Sequence, residues 1–278
     1  MLYSFLLKLI QALLGLALMP LGSRRRVFVQ ADLSAGLTPI RTIETTHGAL
    51  RFYCPSNLIV WRANTLLTKE PETISWIDSF NPQDVLWDVG ANVGLYTVYA
   101  AARGIRVLAF EPSAWNSFVL NRNIEINGMG DRVTALPVAF GAKSGMGSLV
   151  SSAPQPGAAL NEFRLGTELP TPSSELHAQG AIGYTLDDFV DQFDVELPDH
   201  LKIDVDGLET QIVAGGMKFL CSQRLRSVSI EIDSEQQEAV DAISQGLETA
   251  GFRLAGKRHG QDFEVGPYQS IYNYLFVR

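Results

Sequence analysis

The sequence has only two cysteines, Cys54 and Cys221, among its 278 residues. They form no CxxC pair and no cysteine–histidine cluster, so the sequence gives no support to a structural zinc site. A disulfide between them stays open as an alternative, but a reduced cytosolic chain is the simpler interpretation. Charged residues make up 19% of the chain, which is below the usual quarter and argues against long disordered charged tracts.

Basic residues are scarce outside the N-terminus. Residues 1–26 contain Lys8 and Arg24–Arg26 but no acidic residue, so they carry +4, and the rest of the chain carries −12 of the total −8. An acidic body repels phosphate at long range, which argues against DNA or RNA as a substrate.

The N-terminus lacks an unbroken apolar run of membrane-spanning length. Lys8 and Gln11 interrupt residues 1–22, and Ala12–Met19 is short for a span of ~20 residues. A secretory signal carries its positive charge before the apolar region, whereas Arg24–Arg26 follow it. We predict an interfacial helix or weak anchor at anionic headgroups, or a helix packed on its own domain or on a partner subunit; a single inserted anchor is a third alternative. The expected location is cytoplasmic, at the inner membrane face if the helix is interfacial.

From residue 85 onward, short apolar runs alternate with helical patterns, which predicts an α/β fold with a mostly parallel sheet. The seven predicted strands, of which the last two form an antiparallel hairpin, are 85–89, 106–110, 133–139, 201–205, 228–232, 252–257 and 271–277. The Gly-, Pro- and Ser-rich stretch 140–183 is predicted to be a lid, a binding loop or a disordered insert. We divide the chain into an N-terminal helix (1–26), a less regular extension with a few short strands and a helix near 71–80 (27–84), and the main domain (85–278).

The loop after the first predicted strand lacks the middle glycine of a dinucleotide fingerprint. It reads Asp88-Val89-Gly90-Ala91-Asn92-Val93-Gly94, whereas a dinucleotide site requires G-x-G-x-x-G. The glycines would let a ligand approach the backbone, and the amides of a helix starting near Val93 suit a carboxylate. By itself the glycine pair favours a plain strand-to-helix turn. Glu111, about 20 residues further on, favours a ligand because an acidic residue there can accept ribose hydroxyls.

Acidic residues also follow the fourth predicted strand, at Asp204, Asp206 and Glu209. Strand alternation would send Asp204 and Asp206 to one side, and mutual repulsion would raise the pKa of one carboxyl toward the range of a general base. The alternatives are acids at the positive end of a helix and, third, a carboxylate metal site. Glu231 and Asp233 end the fifth strand at the same rim of the sheet.

Four residues outside these motifs are further candidates for ligand contact. Glu70 is expected to fold over the ammonium end of a ligand, or to be a helix N-terminal acid. His259 and Tyr268 in the last hairpin loop, and His177 in the insert, are weaker candidates for substrate contact, since a lone loop histidine is more often only solvated.

In order and spacing these motifs resemble the FkbM family of methyltransferases over residues 45–235. The matching segments are Lys69–Thr73, Trp87–Thr97, Phe110–Pro112, Asn121, Asn127, Thr185–Asp188, Lys202–Glu209 and Glu231. The resemblance implies a class I, Rossmann-like methyltransferase fold, S-adenosylmethionine as the donor, and methyl transfer to a hydroxyl of a sugar, glycan or other small-molecule acceptor.

Together these inferences define the expected site. Cofactor-binding residues are expected at Glu70, Asp88, Gly90, Ala91, Asn92, Gly94, Glu111 and Asp204, and catalytic residues at Asp204, Asp206 and Glu209, with no metal. Two other classes stay open: a nicotinamide-dependent oxidoreductase, against which the missing glycine argues, and a non-catalytic member of the fold, against which the intact acids argue. The sequence carries no signal for an oligomeric state.

Overall fold

A computed structural model describes residues 2–151, 154–159, 161–166, 177–260, 266 and 268–278. Its internal contacts divide the chain into two compact units, Met1–Pro39 and Ile40–Arg278. The predicted extension 27–84 is therefore split: its first part belongs to the first unit, whereas residues 40–84 share one unit with the main domain.

The first unit consists of two helices, α1 (Leu2–Leu18) and α2 (Ser23–Leu37). Most side chains of α1 are exposed although the helix is largely apolar. Within the described part of the chain, no helix combines the length and apolarity needed to cross a bilayer. We did not predict α2, because its apolar residues form no stripe along one face and so carry no helical signal.

The second unit begins with an antiparallel hairpin of β1 (Ile40–Thr45) and β2 (Gly48–Tyr53), followed by α3 (Asn57–Asn64) and α4 (Pro71–Asp78). The remaining elements, in chain order, are β3 (Val85–Val89), α5 (Leu95–Ala102), β4 (Arg106–Phe110), α6 (Ala114–Ile126), β5 (Val133–Leu136), β6 (Val138–Phe140), β7 (Gly145–Ser151), β8 (Glu162–Leu165), β9 (His177–Tyr184), α7 (Leu186–Gln192), β10 (His200–Ile203), α8 (Glu209–Ala214), α9 (Met217–Leu220), β11 (Ser227–Asp233), α10 (Gln237–Thr249), β12 (Arg253–Arg258) and β13 (Ile271–Val277).

A seven-stranded sheet in the order β12-β13-β11-β10-β3-β4-β5 forms the centre of this unit. The five neighbouring strands β11, β10, β3, β4 and β5 are parallel to one another. Strand β13 runs antiparallel to both of its neighbours, β11 and β12. The predicted α/β class with a mostly parallel sheet is confirmed. One apolar cluster packs α3 to α6 on one face, and a second packs α7 to α10 on the other, so the central strands are buried on both faces and read as continuous apolar runs.

The insert 140–183 contains strands, which corrects its prediction as a lid, loop or disordered segment. Strands β6, β9, β7 and β8 form a separate four-stranded sheet in that order. Glycines in this sheet make room for the ring of Phe163: a Cβ on Gly147 or Gly183 would stand 2.8 or 2.4 Å from the ring. Composition therefore misled the prediction, because these glycines serve a packing contact and not a loop.

The third predicted strand, 133–139, is divided at Pro137. Residues before the proline belong to β5 in the seven-stranded sheet, and residues after it belong to β6 in the four-stranded sheet. Proline has no amide hydrogen and cannot continue a ladder, so the chain changes sheets there.

Candidate active site

The carboxyl ends of β3 and β10 meet where the strand order reverses. These strands are parallel neighbours, and Asp88 lies opposite Lys202. The chain continues from β3 to β4 and β5 on one side, while β10 and β11 lie on the other. In an open parallel sheet, ligands bind in the crevice at such a reversal. The residues that follow these strands are therefore the candidate site.

Glycine is required at two positions of the loop after β3. Gly90 and Gly94 have φ angles of 84° and 81°, a region that side-chain-bearing residues rarely adopt. A Cβ on Gly90 would stand 1.8 Å from the carbonyl oxygen of Asp204, and one on Gly94 would stand 2.4 Å from Leu120. The loop thus packs directly against the strand that carries the second acidic motif.

The loop amides are bonded within the protein. Those of Gly90 and Ala91 donate to the carbonyl oxygen of Phe110 at 2.9 and 3.0 Å. The helix predicted from Val93 begins at Leu95. The amide hydrogens of Gly90 and Ala91 therefore close the turn onto β4.

Glu111 follows β4 and is buried. Its two oxygens accept the amides of Asn92 and Ser113, each at 2.8 Å. Burial raises the pKa of Glu111 to about 7, although both amides favour the charged form. The carboxylate lies beside the glycine loop, at the position where the sequence predicts a ribose contact.

Asp204 follows β10 and forms an ion pair with Lys202, in which the carboxylate oxygen lies 2.5 Å from the ammonium nitrogen. Lys202 is almost fully buried, and its ammonium lies 5.3 Å from the centre of the Tyr96 ring. Burial alone would raise the pKa of Asp204, but the charges of Lys202 and Lys69 outweigh it and lower the pKa to about 2. The rise predicted for one carboxyl of this motif is found at Glu209, whose pKa is raised by burial and by the charge of Asp204. It is not found at Asp204, because the sequence argument left out the lysine two residues earlier.

Glu70 immediately precedes α4 and is buried. Its carboxylate pairs with Lys69 at 2.8 Å and accepts the hydroxyl of Thr73 at 3.2 Å and the amide of Asn273 at 3.4 Å. Burial disfavours the charge, but Lys69 and Lys202 overcome this effect and lower the pKa of Glu70. Glu70 is therefore both a helix N-terminal acid and a member of the candidate site.

Glu231, at the end of β11, completes a group of three carboxyls. One oxygen from each of Glu70, Asp204 and Glu231 lies within 4.8 Å of the others. Burial, together with the charges of Asp204 and Glu70, raises the pKa of Glu231 well above its ordinary value. Glu231 and Asp204 share a side-chain hydrogen bond, which requires a proton on one of the two carboxyls. The opposite directions of their pKa shifts assign this proton to Glu231, which donates the hydrogen bond to Asp204.

Asp88, near the end of β3, has one oxygen satisfied and one free. Its Oδ2 accepts the hydroxyl of Thr97 at 2.5 Å, whereas its buried Oδ1 has no partner among the described residues. Burial raises the pKa of Asp88, while the ammonium of Lys202 opposes the rise. A buried carboxylate oxygen without a partner is a place where a donor or cation of a ligand fits.

The site as a whole has an excess of negative charge. Four carboxyls and two ammonium groups interact there: Glu70, Asp88, Asp204, Glu231, Lys69 and Lys202. With Glu231 neutral, three carboxylates still face two lysines, so the cluster suits a ligand with a cationic group. Sequence reasoning missed the two lysines of this cluster. For Lys202 the available signal was a lysine in an otherwise apolar buried strand.

Two predicted catalytic residues, Asp206 and Glu209, lie beyond the end of β10. Asp206 is exposed with a φ of 58°, so strand alternation does not extend to it, but its charge helps to raise the pKa of Glu111. Glu209 begins α8, and its carboxylate accepts the amide of Gly207 at 3.1 Å. This contact matches the helix-start alternative for Glu209.

The last hairpin loop reaches the same rim. A Cβ on Gly260 would stand 1.9 Å from the carbonyl oxygen of Lys69, and the ring of the preceding His259 stacks on an aromatic ring of β13 at 4.1 Å. Tyr268 is exposed. His177 is exposed at the start of β9, in the four-stranded sheet.

Comparison with known proteins agrees with this geometry. The methyltransferase FkbM domain matches residues 88–254, which are more than half of the chain and include the glycine loop, Glu111, Asp204 and Glu231. The chain is 26% identical over 230 residues to the hexuronic acid methyltransferase AglP of Haloferax volcanii, covering 82% of this chain and 88% of that protein.

A solved structure supports the fold. The methyltransferase FkbM of Methylobacillus flagellatus KT superposes with a TM-score of 0.51 at 14% identity, over 79% of this chain and 51% of that chain. The chain thus spans about half the length of that solved protein. The family match excludes the nicotinamide-dependent alternative and makes S-adenosylmethionine the methyl donor. The chain belongs to the FkbM family of S-adenosylmethionine-dependent methyltransferases.

Proposed function

We propose that the protein transfers the methyl group of S-adenosylmethionine to a hydroxyl oxygen of a sugar, with a hexuronic acid as the first candidate acceptor. The observation that carries this proposal is the hydrogen-bonded carboxyl pair of Asp204 and Glu231 at the sheet rim. The name of the Haloferax relative supports the acceptor class.

The residues around the glycine loop suit the two ends of this cofactor. The excess negative charge of the cluster and the unpartnered oxygen of Asp88 suit its sulfonium and ammonium groups. Glu70 contributes to this charge from the start of α4. Gly90, Ala91, Asn92 and Gly94 supply a loop that the cofactor can approach closely, and Glu111 is assigned to the ribose hydroxyls.

S-adenosylmethionine supplies an electrophilic methyl group, so the protein has to orient the acceptor hydroxyl and take up its proton. As the acceptor oxygen bonds to carbon it gains positive charge and becomes acidic, so even a carboxylate of low pKa is a sufficient proton acceptor. Asp204 is ionised and accepts this proton, while Glu231 orients Asp204 through the hydrogen bond they share. Lys202 keeps Asp204 charged and fixed at 2.5 Å. Asp206 and Glu209 are assigned supporting roles around Asp204, with Glu209 shaping the turn between them.

Substitution of the carboxyl pair tests the mechanism. Asp204→Asn and Glu231→Met should each lower kcat by about 10²-fold, because general-base contributions have this size, while the Kd for S-adenosylhomocysteine changes less than about threefold. Glu231→Gln, whose side-chain amide still donates a hydrogen bond to Asp204, should keep turnover close to the native value. Asp233→Asn is the matched control on β11, since Asp233 bonds residues outside the carboxyl cluster, accepting the backbone amide of Glu235 at 3.0 Å and the side-chain amide of Gln236 at 3.3 Å. Unchanged turnover in Asp204→Asn would remove its catalytic role.

The acceptor class is tested with a hexuronic acid and the neutral hexose of the same configuration. The product should be a methyl ether, which survives mild base, whereas methylation of the uronate carboxylate would give an ester that mild base hydrolyses. A base-labile product, or turnover with neither sugar, would contradict the proposal.

We also propose that α1 contacts an anionic membrane surface on the cytoplasmic side. Apolar side chains along α1 are exposed, among them Leu2 at 81% and Leu16 at 62%, and Arg24–Arg26 follow. The full chain should then co-float with vesicles that contain phosphatidylserine, and a chain without residues 1–26 should not. If the full chain co-floats equally well with neutral vesicles, the contact is only apolar and the proposed role of the arginines is wrong.

A further inference from the structure

A short segment of the insert lies against α3. This segment, the strap, comprises residues 154–159. The hydroxyl of Ser56 donates to the carbonyl oxygen of Pro156 at 2.9 Å, and the guanidinium of Arg62 donates to that of Gly157 at 2.8 Å. Ser56 caps α3 and Arg62 lies in its last turn, so α3 holds one side of the strap.

Two asparagines hold the other side of the strap. The side-chain amides of Asn92 and Asn116 both donate to the carbonyl oxygen of Ala158, each at 3.0 Å. The amide of Gly157 donates in return to Asn116 Oδ1 at 2.8 Å. Asn92 belongs to the glycine loop and Asn116 to α6, so the strap bridges these elements.

The same asparagines also bind the carboxylate of Glu111. Asn92 donates its backbone amide to Glu111 at 2.8 Å, and Asn116 hydrogen-bonds Glu111 through its side chain. Each asparagine therefore contacts both the strap and the residue assigned to the cofactor ribose. A shift of the strap must change hydrogen bonds that surround Glu111.

Apart from the part-buried Asn92, this network is closed to solvent. Glu111 is 6% exposed, Asn116 is 1% exposed and Ala158 is 6% exposed. A carboxylate with so little accessible surface cannot receive two ribose hydroxyls until a covering group moves. The strap is held by hydrogen bonds to side chains of other elements and not by a sheet ladder, so it can open without the disruption of a sheet.

We propose that the strap is a gate over the ribose end of the cofactor site, and that Asn92 and Asn116 are the positioning residues that latch it to Glu111. The proposal rests on Glu111 as the ribose acceptor. The strap opens to admit the cofactor and closes over it, which makes both entry and release depend on the latch.

The test is the binding kinetics of S-adenosylhomocysteine to the full chain by surface plasmon resonance. A looser gate speeds both directions, so Asn116→Ala should raise the association and dissociation rate constants together, each by roughly tenfold. A residue that only contributes affinity would raise the dissociation rate alone. Asn121→Ala is the matched control, because Asn121 is an exposed residue of α6 that bonds only Ser117 of its own helix, at 2.8 Å, and it should leave both rates unchanged.

A second variant loosens the strap from the opposite side. Arg62→Met removes the bond to Gly157 from α3 and should also raise both rates, which keeps the test decisive if Asn116→Ala does not fold. Exchange of the Gly157 and Ala158 amides with deuterium should slow when S-adenosylhomocysteine binds. The gate is contradicted if only the dissociation rate constant rises in both variants. It is also contradicted if these amides exchange equally fast with and without S-adenosylhomocysteine.

Glu111→Gln tests the assignment of Glu111 to the ribose hydroxyls separately from the gate. If this variant binds S-adenosylhomocysteine as tightly as the native protein, the ribose assignment fails and the gate fails with it. If it loses affinity while Asn116→Ala and Arg62→Met keep native rates, only the gate fails. Neither readout needs the sugar acceptor, so failure of the proposed acceptor class leaves both outcomes interpretable.

Discussion

Gly90 lies directly against the backbone carbonyl oxygen of Asp204, which a Cβ on Gly90 would approach to 1.8 Å. The contact joins the glycine loop to the strand that carries the catalytic carboxyl. Gly90→Ala must therefore push the two strand ends apart and also place alanine at a φ of 84°. We expect a loss of roughly 3 kcal/mol or more of stability, with S-adenosylhomocysteine binding abolished. Urea unfolding and calorimetric titration measure the two effects.

Gly104→Ala is the control for the cost of the backbone conformation alone. Gly104 has a φ of 90°, and a Cβ built there would lie 3.9 Å from the carbonyl oxygen of Pro82, its nearest neighbour. The substitution should cost only about 1–2 kcal/mol and leave ligand binding intact. If Gly90→Ala costs no more than this control, the contact with Asp204 is not what requires glycine.

The parallel core of the fold could be predicted from the sequence, because strands buried on both faces read as short apolar runs between turn signals. The second sheet could not, because Gly147 and Gly183 are usually loop residues and their function is to accommodate Phe163. Only the tertiary contact distinguishes a glycine in a turn from a glycine beneath a ring.

The candidate site was predictable in position but not in electrostatics. The ends of the parallel strands placed Asp88, Asp204 and Glu231 at one rim. The charge state depends on Lys69 and Lys202, whose pairing with the acids follows from side-chain distances that spacing does not reveal. The rise in pKa predicted for one carboxyl of the Asp204–Glu209 motif is found at Glu209 and not at Asp204.

Lys202 should be essential for stability as well as for catalysis. Lys202→Met leaves the carboxylates of Asp204, Asp88 and Glu70 without their shared buried cation, so it should cost about 3–5 kcal/mol at pH 7. Lys218→Met is the control, since the ion pair of Lys218 with Asp191 is exposed and its loss should cost about 0–1 kcal/mol.

The pH dependence of this variant gives a second check. In the native protein the pKa of Asp204 is about 2, below its ordinary 3.8, so its contribution to stability is complete above pH 3.8 and is lost toward pH 2. Without Lys202 the pKa values of the acids rise, and the variant should become more stable, relative to the native protein, as pH falls from 7 to 5. A constant difference over this range would contradict the pairing.

Phe163 should stabilise the four-stranded sheet selectively. Its ring is buried against the two glycines and against Leu149 and Ala139. Phe163→Ala should lower the free energy of opening of this sheet by about 3–5 kcal/mol. Hydrogen exchange should increase first in β7 and β9 and only later in β3 and β10. Leu165→Ala, at an exposed position of the same strand, should change neither.

Chelation of divalent cations should leave activity unchanged. Glu70 and Asp204, two of the three clustered carboxyls, already pair with lysines at 2.8 and 2.5 Å, and a metal ion would have to displace these ammonium groups. Turnover before and after dialysis against EDTA should agree within error. A loss of turnover that Mg²⁺ or Mn²⁺ restores would show that the lysines give way to a metal.

His200 should make the protein less stable in mild acid. It lies at the start of β10, opposite the rim that carries the active site, and its ring nitrogens lie 2.7 Å from the hydroxyl of Ser227 and 3.0 Å from Asp84. The ring also stacks on Phe80 at 3.6 Å. Burial lowers the pKa of His200 to about 4, although the hydrogen bond that Asp84 accepts from the ring favours the charged form.

The unfolded chain binds a proton at His200 below its ordinary pKa of 6.5, whereas the folded chain binds it only near pH 4. Stability should therefore fall as pH decreases from 6.5 to 4, by up to roughly 3 kcal/mol. The pKa of Asp84 lies below 3.8 because the hydrogen bonds from His200 and Asn81 outweigh burial, so Asp84 titrates outside this window. His200→Gln removes the titrating group, and urea unfolding between pH 4.5 and 7.5 should show a flatter curve for the variant. Parallel curves would mean that the folded protein accepts the proton at its ordinary pKa.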